Sequence, residues 1–551
     1  MRSLRAWFTS LSVVAACSTQ DPTQPSEGTA RDADPIAPSA PSAPGAPPPG
    51  TSPSPPPPPP PPGDAGSATD ASDASPPVSC SPPAPAEPRD GDVVVRVDAS
   101  RGPKGHAAPV AIERLFYGMS IADWMKSDYA PSPRAPFLAL LGALRPGVLR
   151  WPAGHHSQEY VWPRGGGGQT GHLTLQPADF DAFVALARAV GAEPLIGINI
   201  KRGTAAAAAD LLRYLNVEKG YGVRWLQLGN EPDLTDGVVP DPATAARQIV
   251  EYADALRAVD PAVKLVGPEL LTGAHVNGHR GTVDWMGPIL AGTGGRIDGV
   301  SWHYYPLDSG QKDPASSARI SIPHLFQETA PDWHPAGLGY VDEVMPALDS
   351  LRARHAPNAK VWITEIAEDP GPAAGAEISD TVAAGLWYAD ALGRYAEYGP
   401  QAVLRWIFHS VSSHKCALVA NPGDAPRPTY GTFWMYSRYF GERFVGAETS
   451  SITAVAAHAA LRSDGAMTVA LINKTPQPRR VRVEAAGFTP CSGDALTLAG
   501  GGLEGTSFTI NGATLDAASA DAEIAGAPLS PGELAAIEVP AASFRLVTYR
   551  P

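Results

Sequence analysis

The sequence predicts an α/β chain, a (β/α)8 barrel with a C-terminal β-sandwich domain that takes one N-terminal strand. Three observations carry this prediction. Eight short apolar runs recur at fairly even spacing with helical stretches between them. After about Phe444 the pattern changes to short strands separated by Gly, Pro, Asn and Asp turns. One further strand, in "VVVRVDAS" from Val93, precedes all of these and has no place in a count of eight.

The eight runs are "LFYGMSIAD" (115–123), "VLRWPAG" (148–154), "EPLIGINI" (193–200), "WLQLGNEP" (225–232), "KLVGPELL" (264–271), "DGVSWHYYP" (298–306), "VWITEIAE" (361–368) and "AVLRWIFHS" (402–410). They are apolar almost throughout, as expected of a parallel sheet buried on both faces. Stretches such as "PADFDAFVALARAVG" (177–191) supply the intervening helices. The later strands are "MTVALINKT", "RRVRVEAAG", "DALTLAG", "SFTINGATL" and "FRLVTYR". These limits divide the chain into 1–16, 17–90, 91–107 (first sandwich strand), 108–442 (barrel) and 443–551 (sandwich).

The first two segments are not part of the folded body. Arg2 and Arg5 precede a short apolar stretch, Ala6–Ala16, too brief to span a bilayer, which is the pattern of an export signal. It ends in Val14-Ala15-Ala16-Cys17, which resembles a bacterial lipobox, where the cysteine carries the lipid; cleavage as a plain secretory signal is the alternative. Residues 17–90 are rich in Pro, Ala and Ser and include the proline run Pro55–Pro62, so they predict an extended stalk that buries no core. The expected location is therefore an outer-membrane or cell-surface lipoprotein, otherwise a secreted protein, with membrane attachment only through Cys17. An exported chain admits a Cys416–Cys491 disulfide with Cys80 left over.

The formal net charge of −14 and the lack of a basic run argue against nucleic acid as a partner. No CxxC, HExxH or Cys/His cluster at ligand spacing occurs, so neither a metal nor another cofactor is expected.

In a barrel of this kind chemistry gathers at the C-terminal ends of the strands. Glu231 ends the fourth run and Glu365 lies near the end of the seventh, so both face one mouth. Two carboxylates at one small site are what glycoside hydrolysis requires, one as proton donor with a raised pKa and one as an ionised nucleophile. Glu269, Glu368 and Asp369 compete for the nucleophile role; Glu365 is preferred because it lies within the strand. Pro232 is expected to stop the strand so that Asn230 and Glu231 face the site.

Asn230-Glu231-Pro232 on strand four with Glu365 on strand seven resembles clan A of the retaining glycoside hydrolases. The resemblance implies that Glu231 is the acid/base, that Asn230 holds the sugar 2-hydroxyl and that Glu365 is the nucleophile. Trp302-His303-x-Tyr305 on strand six resembles the heparanase and β-glucuronidase family; it implies that Tyr305 hydrogen-bonds the nucleophile and that His303 lines the sugar subsite. Arg150, at the tip of strand two, can set the nucleophile electrostatically. Its stretch "VLRWPAGHHSQEYVWP" resembles the α-L-arabinofuranosidase family but has Ala153 for a glycine, followed by His155 and His156. The strand-seven sequence also lacks that family's Asp-Glu-Trp. Trp406 on strand eight stands where the clan places a tryptophan floor for the sugar.

Lys201, Arg202, His409, His414 and Lys415 follow strands three and eight and predict a cationic rim able to read a uronate carboxylate. The leading expectation is thus a retaining glycosidase of β-glucuronidase or heparanase type, acting on an oligo- or polysaccharide. An α-L-arabinofuranosidase or β-xylosidase is the alternative within the class, and a non-catalytic glycan-binding surface lipoprotein the alternative outside it. The sandwich is expected to brace the barrel, since residues 446–551 contain no tryptophan with which to build a sugar platform. The Pro306–Met345 stretch, with Trp333, is expected to wall the cleft.

Overall fold

The structure, a computed structural model, describes residues 83–233, 238–271, 281–307, 321–327, 340–369 and 376–551. The signal segment, Cys17, Cys80, most of the stalk, Trp333 and most of the 306–345 stretch lie outside the described residues.

Eight parallel strands close into a barrel. In chain order they are strand one (Tyr117–Ser120), two (Val148–Trp151), three (Glu193–Ile198), four (Trp225–Leu228), five (Lys264–Leu270), six (Gly299–Tyr304), seven (Lys360–Ile366) and eight (Ala402–Arg405). Every one falls in an expected run. Strands one, two, four, six and eight are buried along nearly their whole length, which is why they read as unbroken apolar sequence.

The helices form for local reasons as well. Pro242–Val259 is capped by Asp241, whose side chain accepts from the Thr244 N–H at 2.7 Å, and opens on a proline with no N–H to satisfy. Ala245, Ile249, Tyr252, Ala253 and Leu256 make its buried stripe against the barrel.

Inside the barrel, side chains two apart on one strand share the lumen. The lower layer is apolar: Val148, Leu195, Val266, Ala402 and Leu404 surround Trp225 and Trp362, whose ring centroids are 4.8 Å apart. Two residues further up, Val148 gives way to Arg150 and Trp225 to Gln227, both fully buried. The lumen thus changes from packed core to polar site within one step of the pleat.

The C-terminal strands form one continuous sheet. Its order is Phe508–Ile510, Ser492–Gly500, Ser543–Arg550, Met467–Asn473, Val455–Leu461, Arg443–Thr449, Val93–Asp98, Arg479–Ala486 and Ala536–Val539. Val93–Asp98 lies between Arg443–Thr449, antiparallel, and Arg479–Ala486, parallel. A two-residue strand, Val110–Ala111, also pairs with Arg443–Phe444. The sheet curls until its Ala536–Val539 edge touches Met467–Asn473 and Ser543–Arg550. Val95, Val97, Val469, Leu471, Ile537 and Val547 fill the enclosed core.

The other face of the sheet packs on the barrel. Ile472, Leu498, Phe508 and Phe544 join one apolar cluster with Trp387, Tyr430, Phe433 and Tyr436 of the last barrel helices. Each such large side chain contributes about 1.5–3 kcal/mol when fully buried. The helix Val382–Ala396 is buried on all sides, and Gly393 lets it approach the His458 ring so closely that a Cβ there would lie 2.2 Å from it.

The expected Cys416–Cys491 disulfide is not formed. Cys416 is a buried thiol beside Tyr305 and Trp406, whereas Cys491 is disulfide-bonded. The two sit on different layers, one at the barrel mouth and one at the start of a sandwich strand.

A charged cluster is sealed between barrel helix and sheet. Asp390 accepts from Lys474 Nζ at 2.7 Å and pairs with His458 Nε2 at 2.9 Å, and His458 Nδ1 is 3.2 Å from Glu397. Burial opposes the His458 charge, but the hydrogen bonds to Asp390 and Glu397 outweigh it and hold the ring's pKa above the ordinary histidine value. A raised folded pKa stabilises fully below the unfolded value near 6.5 and is lost as pH climbs past it. The melting temperature of the wild type should therefore fall from pH 6 toward alkaline pH more steeply than that of His458→Gln, measured by scanning calorimetry at fixed ionic strength.

Candidate active site

The site occupies the polar upper end of the lumen, and Arg150 is at its centre. The guanidinium is fully buried. Its Nη1 donates to Glu365 Oε1 at 2.6 Å and to Ser120 Oγ at 3.3 Å, and its Nη2 donates to Asn230 Oδ1 at 2.7 Å. Its Nε donates to Gln227, and Glu269 lies 3.7 Å from Nη2. Strand two thereby ties together the tips of strands one, four and seven.

Glu231 reaches the site by a backbone device. Strand four ends at Leu228, four residues before Pro232, because Gly229 and Glu231 adopt left-handed conformations with φ of 79° and 44°. The expectation that Pro232 stops the strand is corrected accordingly: the turn is made by Gly229, where a Cβ would lie 2.9 Å from Ile200 Cγ1. Glu269, after strand five, has φ 59°, and its carbonyl accepts the Glu231 N–H at 2.7 Å. Non-glycine residues held there cost on the order of 1–3 kcal/mol each and persist where the surroundings fix them.

Irregular register brings the other side chains in. Between strands six and seven, Trp302 pairs with Ile363 but His303 pairs with Glu365, so one extra residue is accommodated on strand seven. Strand five carries a similar irregularity between Gly267 and Leu270, where Glu269 sits. Bulges of this kind re-aim side chains beside active sites.

His303 lies between the carboxylates. Its Nδ1 is 2.8 Å from Glu231 Oε1 and 3.4 Å from Glu365 Oε2, and its Nε2 is 3.3 Å from Glu269 Oε2. It is fully buried among these acids. Burial opposes its charge, yet Glu365 and the hydrogen bonds to Glu231 and Glu269 push its pKa up to about 10.

Glu231 responds in the opposite sense. Burial raises its pKa, but the His303 hydrogen bond and charge, with His155 and Arg150, bring it below the ordinary carboxylate value. The raised pKa expected of a proton donor is not the direction this arrangement favours; the imidazole beside Glu231 is pushed up instead. Tyr305 donates its hydroxyl to Glu365 Oε2, and burial together with both carboxylates keeps its phenol protonated.

The remaining expected residues are placed as follows. Asn230 is buried, and its side-chain nitrogen has no acceptor among the described residues. Trp406 directly follows strand eight and packs with Tyr305, Ala153 and Cys416 and against Gly154. Glu368 is clamped by Arg405 at 3.0 and 2.7 Å, a structural pair that removes it from contention as nucleophile. Asp369 is also buried.

The cationic rim is mostly spent on the fold. His409 is buried 2.6 Å from Asp128, Lys415 is paired with Asp380 at 2.8 Å, and burial lowers His414 to about 4. Lys201 is buried and Arg202 half-buried just past strand three.

Several residues went unnoticed in the sequence. Gln227, Ser120 and Ser301 are polar residues in otherwise apolar strands, at positions that share the lumen with other site residues; that single-residue break was their signal. Ser301 Oγ donates to Glu269 Oε1 at 2.6 Å. His155 and His156, by contrast, stand out in the sequence after strand two: His155 Nε2 is 3.8 Å from Glu231 Oε2, and His156 pairs with Asp123 at 2.7 Å beside Trp124. Asp233, beside Glu231, is raised to about 7 by burial, with the Glu231 charge adding to it against the Leu271 N–H.

Among the described residues, one set of three donors is close enough to hold a metal ion, namely Glu231, His303 and Glu365, with the relevant atoms all within 4.8 Å of one another. Arg150 already brings a cation to this cluster at 2.6 Å and His303 a proton, so the donors are satisfied as a hydrogen-bonded set.

Mouse heparanase is 25% identical over 281 residues, covering 49% of this chain and 48% of its own length. The chain is heparanase-like. It spans about half the length of the curated relatives it matches. Mouse inactive heparanase-2 matches at 19% identity over 288 residues, 51% of this chain and 45% of its own. A family 51 α-L-arabinofuranosidase from Bifidobacterium longum superposes with a TM-score of 0.63 at 17% identity, covering 84% of this chain and 100% of that structure, which establishes the shared fold. No protein-family profile matches. In sequence and fold together the heparanase-like chain resembles the clan A glycoside hydrolases, with arabinofuranosidase-like features.

Removing the guanidinium should be costly, because a buried carboxylate left without its partner typically destabilises by about 3–5 kcal/mol. Arg150→Ala should lower the urea midpoint accordingly, and Arg150→Lys, which keeps the charge but not the fork, should fall between the two.

Proposed function

We propose that the protein is a retaining glycoside hydrolase of heparanase type, with Glu231 as acid/base and Glu365 as nucleophile. The observation that carries this reading is the separation of the two acids. Oxygens of Glu231 and Glu365 approach within 4.8 Å. Retaining pairs stand roughly 5–5.5 Å apart, whereas inverting pairs need roughly 6.5–9.5 Å to admit a water.

The roles follow from the partners. Glu365 accepts hydrogen bonds from Arg150 and Tyr305, a guanidinium and a phenol that fix the carboxyl group in place as the nucleophile. Glu231 exchanges its proton with an imidazole and so is suited to protonate the leaving oxygen and later deprotonate water. Asn230 offers a buried amide N–H with no acceptor among the described residues, available to a sugar hydroxyl. Trp406 supplies an aromatic surface near Tyr305.

The substrate we favour is a uronic-acid-containing glycan. With His409 and Lys415 paired and His414 held neutral, this preference rests on heparanase likeness and on Lys201, Arg202, His155 and His156. An arabinofuranoside or xyloside is the second reading, supported by the likeness in fold to the Bifidobacterium enzyme. Likeness to inactive heparanase-2 keeps a non-catalytic glycan-binding role open as the contrary outcome.

No helix among the described residues is long and apolar enough to cross a membrane. We place the enzyme outside the cytoplasm, tethered through Cys17 and the proline-rich stalk. Labelled palmitate should be incorporated by the wild type and not by Cys17→Ser; incorporation by both would remove the anchor.

The catalytic reading is checked by release of aryl alcohol from a β-D-glucuronide and, in parallel, from an α-L-arabinofuranoside and a β-xyloside. Wild type should hydrolyse the glucuronide, and Glu365→Ala and Glu231→Ala should each lose about 10²-fold or more of kcat. Activity that survives Glu365→Ala would overturn the nucleophile assignment and direct attention to Glu269.

A further inference from the structure

We propose that Glu269 is a positioning residue which, through His303, holds and aims the proton that Glu231 delivers, so that Glu269, His303 and Glu231 act as one relay. The inference rests on the glycosidase reading and deepens it. Glu269 had entered only as a rival nucleophile, yet it is fully buried and faces the imidazole from the side opposite Glu231. Ser301 Oγ fixes one of its oxygens at 2.6 Å, leaving the other 3.3 Å from His303 Nε2. Its backbone is held at φ 59° and bonded to the Glu231 N–H, so the two acids are registered to each other through the main chain as well.

The consequence is control of the imidazole's tautomer. A ring whose Nε2–H is held by Glu269 presents Nδ1 to Glu231, either as a donor when protonated or as an acceptor when not. The orienting acid behind a histidine in a hydrolase triad works on the same principle. No other orientation satisfies both neighbours.

The proton balance closes over the cycle. At rest one proton lies between His303 Nδ1 and Glu231 Oε1. Glu365 attacks the anomeric carbon, the glycosidic C–O bond breaks with its electron pair on the departing oxygen, and that oxygen takes the proton from Glu231. Ionised Glu231 and neutral His303 remain, with Nε2–H still on Glu269. In the second half water attacks the same carbon, the ester bond to Glu365 breaks, and the water's proton returns to the Glu231–His303 pair. Nothing is oxidised or reduced.

Charged and titratable groups face His303 from every side: Glu231 and Asp233 beyond strand four, Glu269 on strand five, Glu365 on strand seven, Arg150 on strand two, Tyr305 beside it and His155 above Glu231. Of these, Glu269 alone approaches Nε2 within 4 Å as an acid.

The test uses the full chain and two readouts. In Glu269→Gln, Ser301 retains the oxygen, so the amide N–H₂ faces Nε2 and forces it to accept. The ¹⁵N resonances of His303, assigned by their loss in His303→Gln, should show both nitrogens protonated at neutral pH in wild type and Nε2 unprotonated in Glu269→Gln. The alkaline limb of kcat/KM on the aryl glycoside should move down by about 1 pH unit or more, the scale of shift a neighbouring charge produces. Ser301→Ala, which loosens Glu269 without removing it, should give a smaller shift in the same direction. A pH-independent loss of rate with unchanged His303 resonances would overturn the relay and leave Glu269 as packing. If wild type hydrolyses no glycoside, the glycosidase reading fails on its own, and the imidazole resonances still judge whether Glu269 sets the ring.

Discussion

The arrangement of the site depends on one buried cation. A guanidinium with no access to water must have its donors satisfied, and Arg150 meets this with oxygens from three other strands. Those acceptors are the residues on which the proposed chemistry turns: Glu365, Asn230 and the Gln227 that lies beneath them. Burying an ion is unfavourable in itself, and the compensation is geometric, since a planar fork imposes directions that a lysine could not. The apolar plug of Trp225 and Trp362 below makes the fork's surroundings dry and rigid.

Three acids and two cationic side chains then share a small volume, and the proton distribution follows from their order. Three glutamates about one arginine would repel one another strongly, so the imidazole between them is held charged. That is why Glu231 does not carry the raised pKa that an isolated proton donor in an apolar pocket would have. A donor can work either by holding a proton itself or by standing next to a group that does. Here the second arrangement is built, and strain at two left-handed glutamates is part of its construction.

Much of the fold was legible because it follows from periodicity. Eight apolar runs with amphipathic helices between them leave few alternatives to a closed parallel barrel, and the orphan strand at Val93 had to join the later sheet. The positions of Glu231, Glu365, Arg150 and Tyr305 at strand tips were legible for the same reason. What could not be read is whatever depends on a break in the pattern. The irregularities on strands five and seven and the left-handed turns at Gly229, Glu231 and Glu269 leave no periodic trace, and they decide that His303 meets three acids at once. Charge pairing was equally hidden: His409 and Lys415 look like rim cations until Asp128 and Asp380, distant in sequence, are brought beside them.

The loss of those two cations sharpens the question of substrate. A uronate-reading site needs a cation whose own carboxylate partners do not already neutralise it. His156 is held 2.7 Å from Asp123, whose hydrogen bond and charge raise its pKa against the effect of burial; that carboxylate also offsets whatever pull the ring has on a substrate anion. His155 borders Glu231 at 3.8 Å, so its charge is drawn toward that carboxylate, most of all once Glu231 has given its proton to the leaving group and stands ionised. Arg202, half-buried on the strand-three loop, is the cation on which uronate selectivity would then depend. If the favoured glycone is a neutral sugar instead, the same loop has no anion to bind, and the Asn230 amide and the Trp406 face become the dominant recognition elements.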